Sequence, residues 1–283
     1  MKKISYSIIA IFIFGIIAMG FTHKVYTNKS VLIQSVEINV TPAELSESAQ
    51  MISARLKDFS TENFDMTIIN EKNQIKVTLS DKWDMKLVDS LLTKKGGMEF
   101  YETYDREGLS EILKDNDHLF SFFNSSDTIS KIGCTSASEV GKINDYLKTL
   151  GTNSKYKFVW SQNFDNSDAC LYALKSSSEN ASLIKSSEIE SVKYSVDKIS
   201  KSNEIEVSLK KSAVQLWADA TKRNINHAIA IVLDNNVIAA PIVRSEINGG
   251  HCMITGNFTK AEAKYIAALG NNGELPLNFK ILK

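Results

Sequence analysis

The sequence predicts an α+β protein that follows an N-terminal membrane segment. Three observations support this fold class: an apolar run of membrane-spanning length at the start, a βαββαβ order of periodic segments over 31–104, and a second alternation of strands and helices over 189–283. The βαββαβ order is typical of a ferredoxin-like domain, in which two helices cover one face of a four-stranded antiparallel sheet. The predicted parts are an anchor or signal peptide, a ferredoxin-like base, a connecting region with a Ser-rich loop, and a second α+β domain, at 1–22, 31–104, 105–188 and 189–283.

The apolar run at 4–21 predicts where the chain meets a membrane. Lys2 and Lys3 precede this run, and positive residues stay on the cytoplasmic side, so residues from about 23 onward are expected outside the cytoplasm. The sequence has no second run of spanning length, which favours a single pass. Two interpretations remain open: an uncleaved anchor in the inner membrane, or a signal peptide cleaved near Gly20 that releases the protein to the periplasm.

The composition excludes several classes of partner and cofactor. The chain has 33 Lys and Arg residues against 33 Asp and Glu residues, so it lacks the basic surface that nucleic-acid binding requires. Its three cysteines, Cys134, Cys170 and Cys252, are far apart and show no zinc-binding spacing, so no metal or other cofactor is expected. In an oxidising compartment one pair can close while one thiol stays unpaired, and the sequence leaves open which pair this is.

The elements of the base follow from capping and periodicity. Thr41 and Glu44 form a capping box that starts a helix. A second helix over 84–94 ends at Gly96 and Gly97, as glycine after a helix indicates. The buried face of the first helix is predicted from apolar residues at steps of three and four, which are Leu45, Ala49, Ile52, Leu56 and Phe59. The strands of the base are predicted at 31–40, 64–68, 75–79 and 98–104.

The rest of the chain alternates strands and helices less regularly. Within 105–155 two helical patterns flank a Ser-rich stretch, and their topology is not assigned. Capping boxes of Ser212 with Gln215 and of Thr259 with Glu262 predict two further helix starts. Strands are predicted at 156–160, 170–174, 192–196, 205–209, 228–233, 237–243, 253–254 and 277–282.

Residues 228–281 resemble the end of the first periplasmic domain of SecD and SecDF, accessory proteins of the Sec translocon. The stretches 98–103 and 171–175 resemble the same domain. The resemblance implies a ferredoxin-like base and a separate head, with the last strand returning to the base, and it implies that the domain engages the emerging polypeptide outside the membrane. An arginine that relatives often carry before the Gly-x-Leu-Pro is replaced here by Asn271 and Asn272. The residues that match the family's order and spacing are Asp234, Ala240, Pro241, Gly250, Gly256, Thr259, Gly273, Leu275 and Pro276.

Each candidate site residue has a functional and a structural interpretation. His251 adjoins Cys252, but neighbours on a strand point to opposite faces and cannot share one metal ion. Asp234 precedes two asparagines, which favours a turn over a role as general acid or base. Trp160 and Trp217 can line a peptide groove, although their spacing favours the core. We therefore expect the family-motif residues to be structural, and no catalytic, metal-binding or polypeptide-binding residue is assigned.

The sequence favours a non-enzymatic, extracytoplasmic polypeptide-binding protein that assists Sec-dependent translocation. Strand addition at a sheet edge, or a cleft between base and head, would hold the polypeptide. Unfolded exported polypeptides and components of the Sec translocon are the expected partners. A proton path needs ionisable groups inside a bundle of membrane helices, and the single apolar run has no acidic residue, so the protein is not expected to couple a proton gradient by itself. The alternative is an envelope interaction or structural module that kept the SecD fold without a translocation role.

Overall fold

Three β-sheets with helices packed against them make up the described part of the protein. No helix in this part is long and apolar enough to cross a membrane, and the predicted membrane segment at 1–22 lies outside it. At 115–117 only the backbone is described. A computed structural model describes residues 28–123, 130–151, 154–162, 164, 168–176 and 182–282.

The elements alternate along the chain much as the periodicity predicts, with a few differences. The strand predicted at 31–40 ends at Ser35, because Val36 and Ile38 are exposed after it, and the strand at 133–135 was not predicted. The strands are β1 (Asn28–Ser35), β2 (Phe64–Ile69), β3 (Gln74–Ser80), β4 (Met98–Tyr104), β5 (Gly133–Thr135), β6 (Tyr156–Trp160), β7 (Ala169–Lys175), β8 (Ile189–Val196), β9 (Asn203–Leu209), β10 (Ile229–Leu233), β11 (Asn236–Ala239), β12 (His251–Thr255) and β13 (Phe279–Leu282). The helices are α1 (Pro42–Phe59), α2 (Met85–Thr93), α3 (Arg106–Leu113), α4 (Val140–Thr149), α5 (Val214–Arg223) and α6 (Lys260–Asn271).

The base sheet has the strand order β13–β1–β3–β2, and every neighbouring pair is antiparallel. Alternate residues of its central strands, such as Ile33 and Val77, are fully buried in one core with Ile52 of α1 and Leu91 of α2. The last strand of the chain returns to the base as the resemblance implies, because Ile281 lies opposite Ile33 at the edge of β1.

The prediction that strand 98–104 completes the base sheet is wrong. β4 instead pairs with β10 and β7 in a six-stranded sheet of order β11–β10–β4–β7–β5, in which β6 pairs with β7. Met98, Phe100, Tyr101 and Thr103 are all buried, so β4 has buried side chains on both faces. Such a strand fits the middle of a covered sheet, whereas the edge position beside β1 suits β13, which has two exposed residues. The predicted limits of the domains stay predictions.

Helix starts agree with two of the three predicted capping boxes. The Thr41 hydroxyl accepts from the Glu44 N–H at 3.2 Å, and the Glu44 carboxylate accepts from the Thr41 N–H at 2.9 Å. Thr259 and Glu262 exchange the same two bonds at the start of α6. At Ser212 the prediction is wrong, because a short 3₁₀ turn precedes α5 and no side chain caps it.

The cysteine pairing becomes clear in the six-stranded sheet. Cys134 of β5 lies directly opposite Cys170 of β7, and the two form a disulfide, while Cys252 is a free thiol. The strands around this disulfide enclose a small core of their own, which consists of Leu109, Leu113, Leu119, Phe123, Ile132, Ile143, Tyr156, Leu171 and Ala173.

The third sheet, of order β12–β9–β8, packs on α6. The other side of α6 packs on α1 of the base, so a single hydrophobic core extends from β1 to β12. Ala263, Ala268 and Gly270 of α6 are all buried, and these small residues allow close approach on both sides. Base and head share this packed core, but a cavity of 460 Å³ also lies between Glu102 and Tyr104 of the predicted base and Leu216 and Arg223 of the predicted head. The expectation that a cleft between base and head holds a polypeptide therefore stays a prediction.

Candidate functional site

The nine motif residues fall into two groups that lie in different parts of the head. The first group lies where the head meets the base, and we call it the junction group: Asp234, Gly273, Leu275 and Pro276. The second lies around β12, and we call it the edge group: Ala240, Pro241, Gly250, Gly256 and Thr259. The structure thus divides residues that the sequence presents as one motif.

Arg55 of α1 organises the junction. Its side chain is fully buried, and its guanidinium donates to the carbonyl oxygens of Lys94 at 2.6 Å and Gly273 at 2.8 Å, with a further bond to that of Lys95. Burial lowers the pKa of Arg55 to about 10, while the nearby carboxylate of Asp234 opposes that shift. One cation therefore connects the first helix to the end of α2 and to the segment after α6.

Asp234 lies in the turn between β10 and β11, as predicted, and it also holds the two glycines after α2. Its carboxylate accepts from the N–H of Gly96 at 2.8 Å and of Gly97 at 3.0 Å. Gly96 has φ of +87°, and a Cβ there would collide with the Arg55 guanidinium and lie 2.7 Å from the Gly273 carbonyl oxygen. Only glycine fits this position, because both the backbone angle and the space exclude a side chain.

The remaining junction contacts attach the end of the chain to the base. Leu275 N–H donates to the Lys95 carbonyl at 2.8 Å, and the Lys95 ammonium donates to the Leu275 carbonyl at 2.6 Å. Asn271 and Asn272 both donate to Asp58 of α1, at 3.0 and 2.9 Å. The two asparagines thus make a polar contact with the base.

β12 is an edge strand. It pairs with β9 on one side, and the Leu209 N–H donates to the Gly250 carbonyl at 2.8 Å in the same ladder. Hydrogen-bonded pairs recur at every second residue of an antiparallel ladder. The backbone groups of Cys252 and Ile254 therefore point toward β9, and those of the residues between them point the other way.

The outward backbone groups of β12 belong to His251, Met253 and Thr255. Within the described residues, no backbone hydrogen bond reaches the N–H or C=O of any of the three. All three residues are exposed, Met253 by 46% despite its apolar side chain. The strand therefore offers a free row of donors and acceptors to which another strand can be added.

Two cavities lie along this free edge, between β12 and the segment that follows β11. The smaller is 280 Å³ and mainly apolar, with Trp217, Ile229, Ile231, Val243 and Ile247 in its wall. The larger is 650 Å³ and is lined by Ile238, Ala240, Gly256, Phe258 and Glu262 among others. Pro241 lines both, so the two cavities are neighbours, and we call the pair the β12 cleft.

The edge group shapes the β12 cleft. Ala240 and Pro241 form its far wall, which is held to the start of β10 by a bond from Ile229 N–H to the Pro241 carbonyl at 3.1 Å. Gly250 leads into β12 with φ of +66°, and a Cβ there would lie 2.6 Å from a Val214 methyl. The exit from β12 is set at the other end by Gly256 and by Thr259, the cap of α6.

The other candidate residues have ordinary surroundings. His251 Nδ1 lies 2.9 Å from the Ser208 hydroxyl, and burial raises the pKa of the Cys252 thiol to about 12. Trp160 bonds to Asn144 near the disulfide, while Trp217 is buried against Phe100 and lines the β12 cleft. In the described ranges no group of three His, Cys, Asp or Glu side chains is arranged to hold a metal ion.

Sequence reasoning missed Arg55 and the free edge of β12. Arg55 follows Ile52 by three residues and precedes Leu56, so it lies on the predicted apolar stripe of α1, and a charge in that place is a readable signal of a buried ion. The free edge had no comparable signal, because the strand pattern at 253–254 does not tell which side is paired.

The fold and the cleft together define an α+β protein with a sheet base and a head that presents an unpaired strand. Residues 165–277 match the family model described as SecDF, P1 head subdomain. The protein translocase subunit SecD of Leptotrichia buccalis is 35% identical over 137 residues, which are 48% of this chain and 31% of the relative. That of Calditerrivibrio nitroreducens is 42% identical over 83 residues, 29% of this chain and 16% of the relative.

A solved structure has the same fold over most of the described chain. It is described as "Structure and function of a membrane component SecDF that enhances protein export", and it covers 90% of this chain and 98% of its own, with a TM-score of 0.51 and 16% identity. The resemblance to the first periplasmic domain of SecD and SecDF is therefore confirmed. The aligned segments span less than a third of these two SecD relatives.

Proposed function

We propose that this protein is a non-enzymatic, extracytoplasmic accessory factor of Sec-dependent export that holds unfolded polypeptides as an added strand on β12. The observation that carries the proposal is the free row of backbone groups at His251, Met253 and Thr255 beside an open cleft. Similarity to SecD subunits, and to SecDF described as enhancing protein export, supports the export role. The proposal assigns binding, and not proton transport, to this chain.

Strand addition suits a protein that meets many different polypeptides. Main-chain hydrogen bonds supply affinity that does not depend on sequence, and pockets beside the edge add a preference for certain side chains. The chain has no net charge, so binding is expected to be weak and only mildly sensitive to salt. A folded protein has few unpaired strands to offer, so folded clients should not bind.

The proposed location follows from the predicted membrane segment. An uncleaved anchor at 1–22 would hold the β12 cleft outside the inner membrane, where unfolded polypeptides and translocon components are present. A cleaved signal peptide would release the same cleft to the periplasm.

The test is to remove one outward N–H of β12. Met253→Pro deletes the central donor of the free edge, and an edge strand tolerates proline where its N–H faces solvent. We expect binding of a fluorescent, permanently unfolded polypeptide to the full chain to weaken about tenfold, as the loss of one or two interstrand hydrogen bonds implies. Fluorescence anisotropy measures the dissociation constant.

Met253→Ala is the matched control, because it shortens the same side chain and keeps the N–H. It should bind within about twofold to threefold of the original protein, and thermal melting should show that both variants are folded. Equal binding by Met253→Pro and the original protein would overturn strand addition at β12. If no unfolded polypeptide binds at high micromolar concentration, the interaction-module alternative replaces the proposal.

A further inference from the structure

We infer that Glu262 makes the β12 cleft selective for certain segments. The cleft accepts an apolar residue and a neutral or basic residue, two positions apart in the chain, on the buried side of the added strand. It disfavours acidic residues there. This inference rests on the proposed strand addition. It names the class of segment that the cleft prefers and the residue that sets the preference.

The inward-facing residues of β12 determine which side chains of an added strand enter the cleft. A residue that lies opposite another in a β-ladder projects to the same face of the sheet. On β12 the residues that face inward are Cys252 and Ile254, since His251, Met253 and Thr255 are exposed. Two client residues, spaced two apart in the chain, therefore point into the cleft.

Each of these two client side chains reaches a different cavity. The client residue opposite Cys252 reaches the 280 Å³ cavity, because Cys252 lines that cavity. The client residue opposite Ile254 reaches the 650 Å³ cavity, which Ile254 lines. The separation of the two client side chains, about 7 Å along a strand, matches the separation of the two β12 residues.

The two cavities differ in the charge of the residues that line them. The wall of the smaller cavity is mainly apolar, although the exposed residues Arg244, Ser245 and His251 also line it, so it suits an aliphatic or aromatic side chain. Glu262 is the one charged residue among the described residues that line the larger cavity. One of its carboxylate oxygens accepts from the Thr259 N–H at 2.8 Å, and no described group bonds to the other. A client carboxylate in that cavity would meet a like charge, and a client lysine would meet an opposite one.

The experiment uses nine-residue peptides that differ at the inward positions alone. Each has leucine at position 5 in a host of threonine, serine and glycine, with lysine, glutamine or glutamate at both positions 3 and 7. Because the substitution is symmetric about the leucine, one changed residue reaches the larger cavity whichever way the strand runs. Control peptides carry the same residues at positions 4 and 6, which face outward, so they have the same net charge.

We expect the full chain to bind the inward lysine peptide about five- to tenfold more tightly than the inward glutamate peptide, with glutamine between them. The outward control peptides should differ by less than about threefold. In Glu262→Gln the preference of lysine over glutamate should fall below about twofold, while leucine at position 5 is still required. Glutamine can keep the capping bond to Thr259, and thermal melting checks that α6 is intact.

A second measurement supports the inference without a variant. Raising the salt from about 50 to about 500 mM should reduce the difference between the inward lysine and glutamate peptides, since exposed charges are screened. Equal binding of the three inward peptides, or a charge preference that persists in Glu262→Gln, would overturn the role of Glu262 and leave strand addition standing. If none of the peptides binds, the proposed function fails, and the selectivity fails with it.

Discussion

The junction and the β12 edge use their backbone polar groups in opposite ways. At the junction, the guanidinium of Arg55 and the carboxylate of Asp234 bond to backbone groups. Carbonyl and N–H groups that lie outside any β-ladder thus have a side chain as their partner. At the edge, the outward backbone groups of β12 have no partner in the described chain. A buried backbone group without a partner destabilises a fold, whereas an exposed one is hydrated and available for binding.

This difference shows that residues of one predicted motif can lie in two regions with different physical properties. Asp234 of the junction group bonds to the N–H of Gly96, a position where the space excludes any side chain, which is the behaviour of a structural joint. The edge group leaves a strand uncovered beside a cleft. Changes at the junction should therefore affect stability, and changes at the edge should affect binding. Three further predictions test this contrast.

Arg55→Ala is expected to have the largest effect on stability. It leaves the carbonyl groups of Lys94 and Gly273 without their partner and Asp234 without the neighbouring cation, so the free energy of unfolding should fall by about 3 to 5 kcal/mol. Urea unfolding measures the change. Lys57→Ala, an exposed site on the same helix, should stay within about 0.5 kcal/mol. The folded fraction should still bind unfolded polypeptide, and a loss of binding at unchanged stability would contradict the division into joint and edge.

Asp234→Asn should have a smaller effect. One carboxylate oxygen accepts from both glycine N–H groups, and the other accepts from Gly96 N–H alone. In asparagine the amide nitrogen would face the Gly96 N–H and the negative charge would be lost, so we expect a loss of about 1 to 3 kcal/mol. The control is Asp65→Asn, an exposed strand residue that should be neutral to within about 0.5 kcal/mol. If chemical denaturation finds the two variants equal, Asp234 is an ordinary turn residue and not part of the joint.

Glu37 should contribute the smallest effect, which is present at neutral pH and is lost in acid. Its partial burial would raise its pKa, but hydrogen bonds from Ser35 and Asn278 prevail and lower the pKa from 4.5 to about 2. A lowered pKa in the folded state means that stability is present above pH 4.5 and is lost as pH falls toward 2. Because Asn278 directly precedes β13, this loss should loosen the last strand.

Thermal melting between pH 7 and pH 2 measures the Glu37 effect. Glu37→Gln should lower stability at pH 7 and flatten the acid-dependent part of the curve, whereas Glu47→Gln, on an exposed face of α1, should leave the curve unchanged. A curve for Glu37→Gln that is parallel to the original at every pH would show that Glu37 does not couple β13 to protonation.

Much of the local structure was predictable, because it depends on neighbours in sequence. The capping boxes at Thr41 and Thr259 and the buried stripe of α1 were confirmed residue by residue. The cap at Ser212 failed because the chain first makes a 3₁₀ turn there. The resemblance correctly implied that the last strand returns to the base, which periodicity does not contain.

The sequence by itself determined most of the helices and strands and their order, because capping, periodicity and turn chemistry act over a few residues. It did not indicate the short strand at 133–135 or the end of β1 at Ser35. The tertiary structure alone decided which strands share a sheet, which cysteines pair, what Arg55 bonds to, and which side of β12 is free. Each of these depends on contacts between residues far apart in the chain: β4 leaves the base for β10, Cys134 meets Cys170, and Arg55 reaches Gly273. A strand pattern shows which side chains are buried, but the partner of its backbone is set by the packing of the whole core.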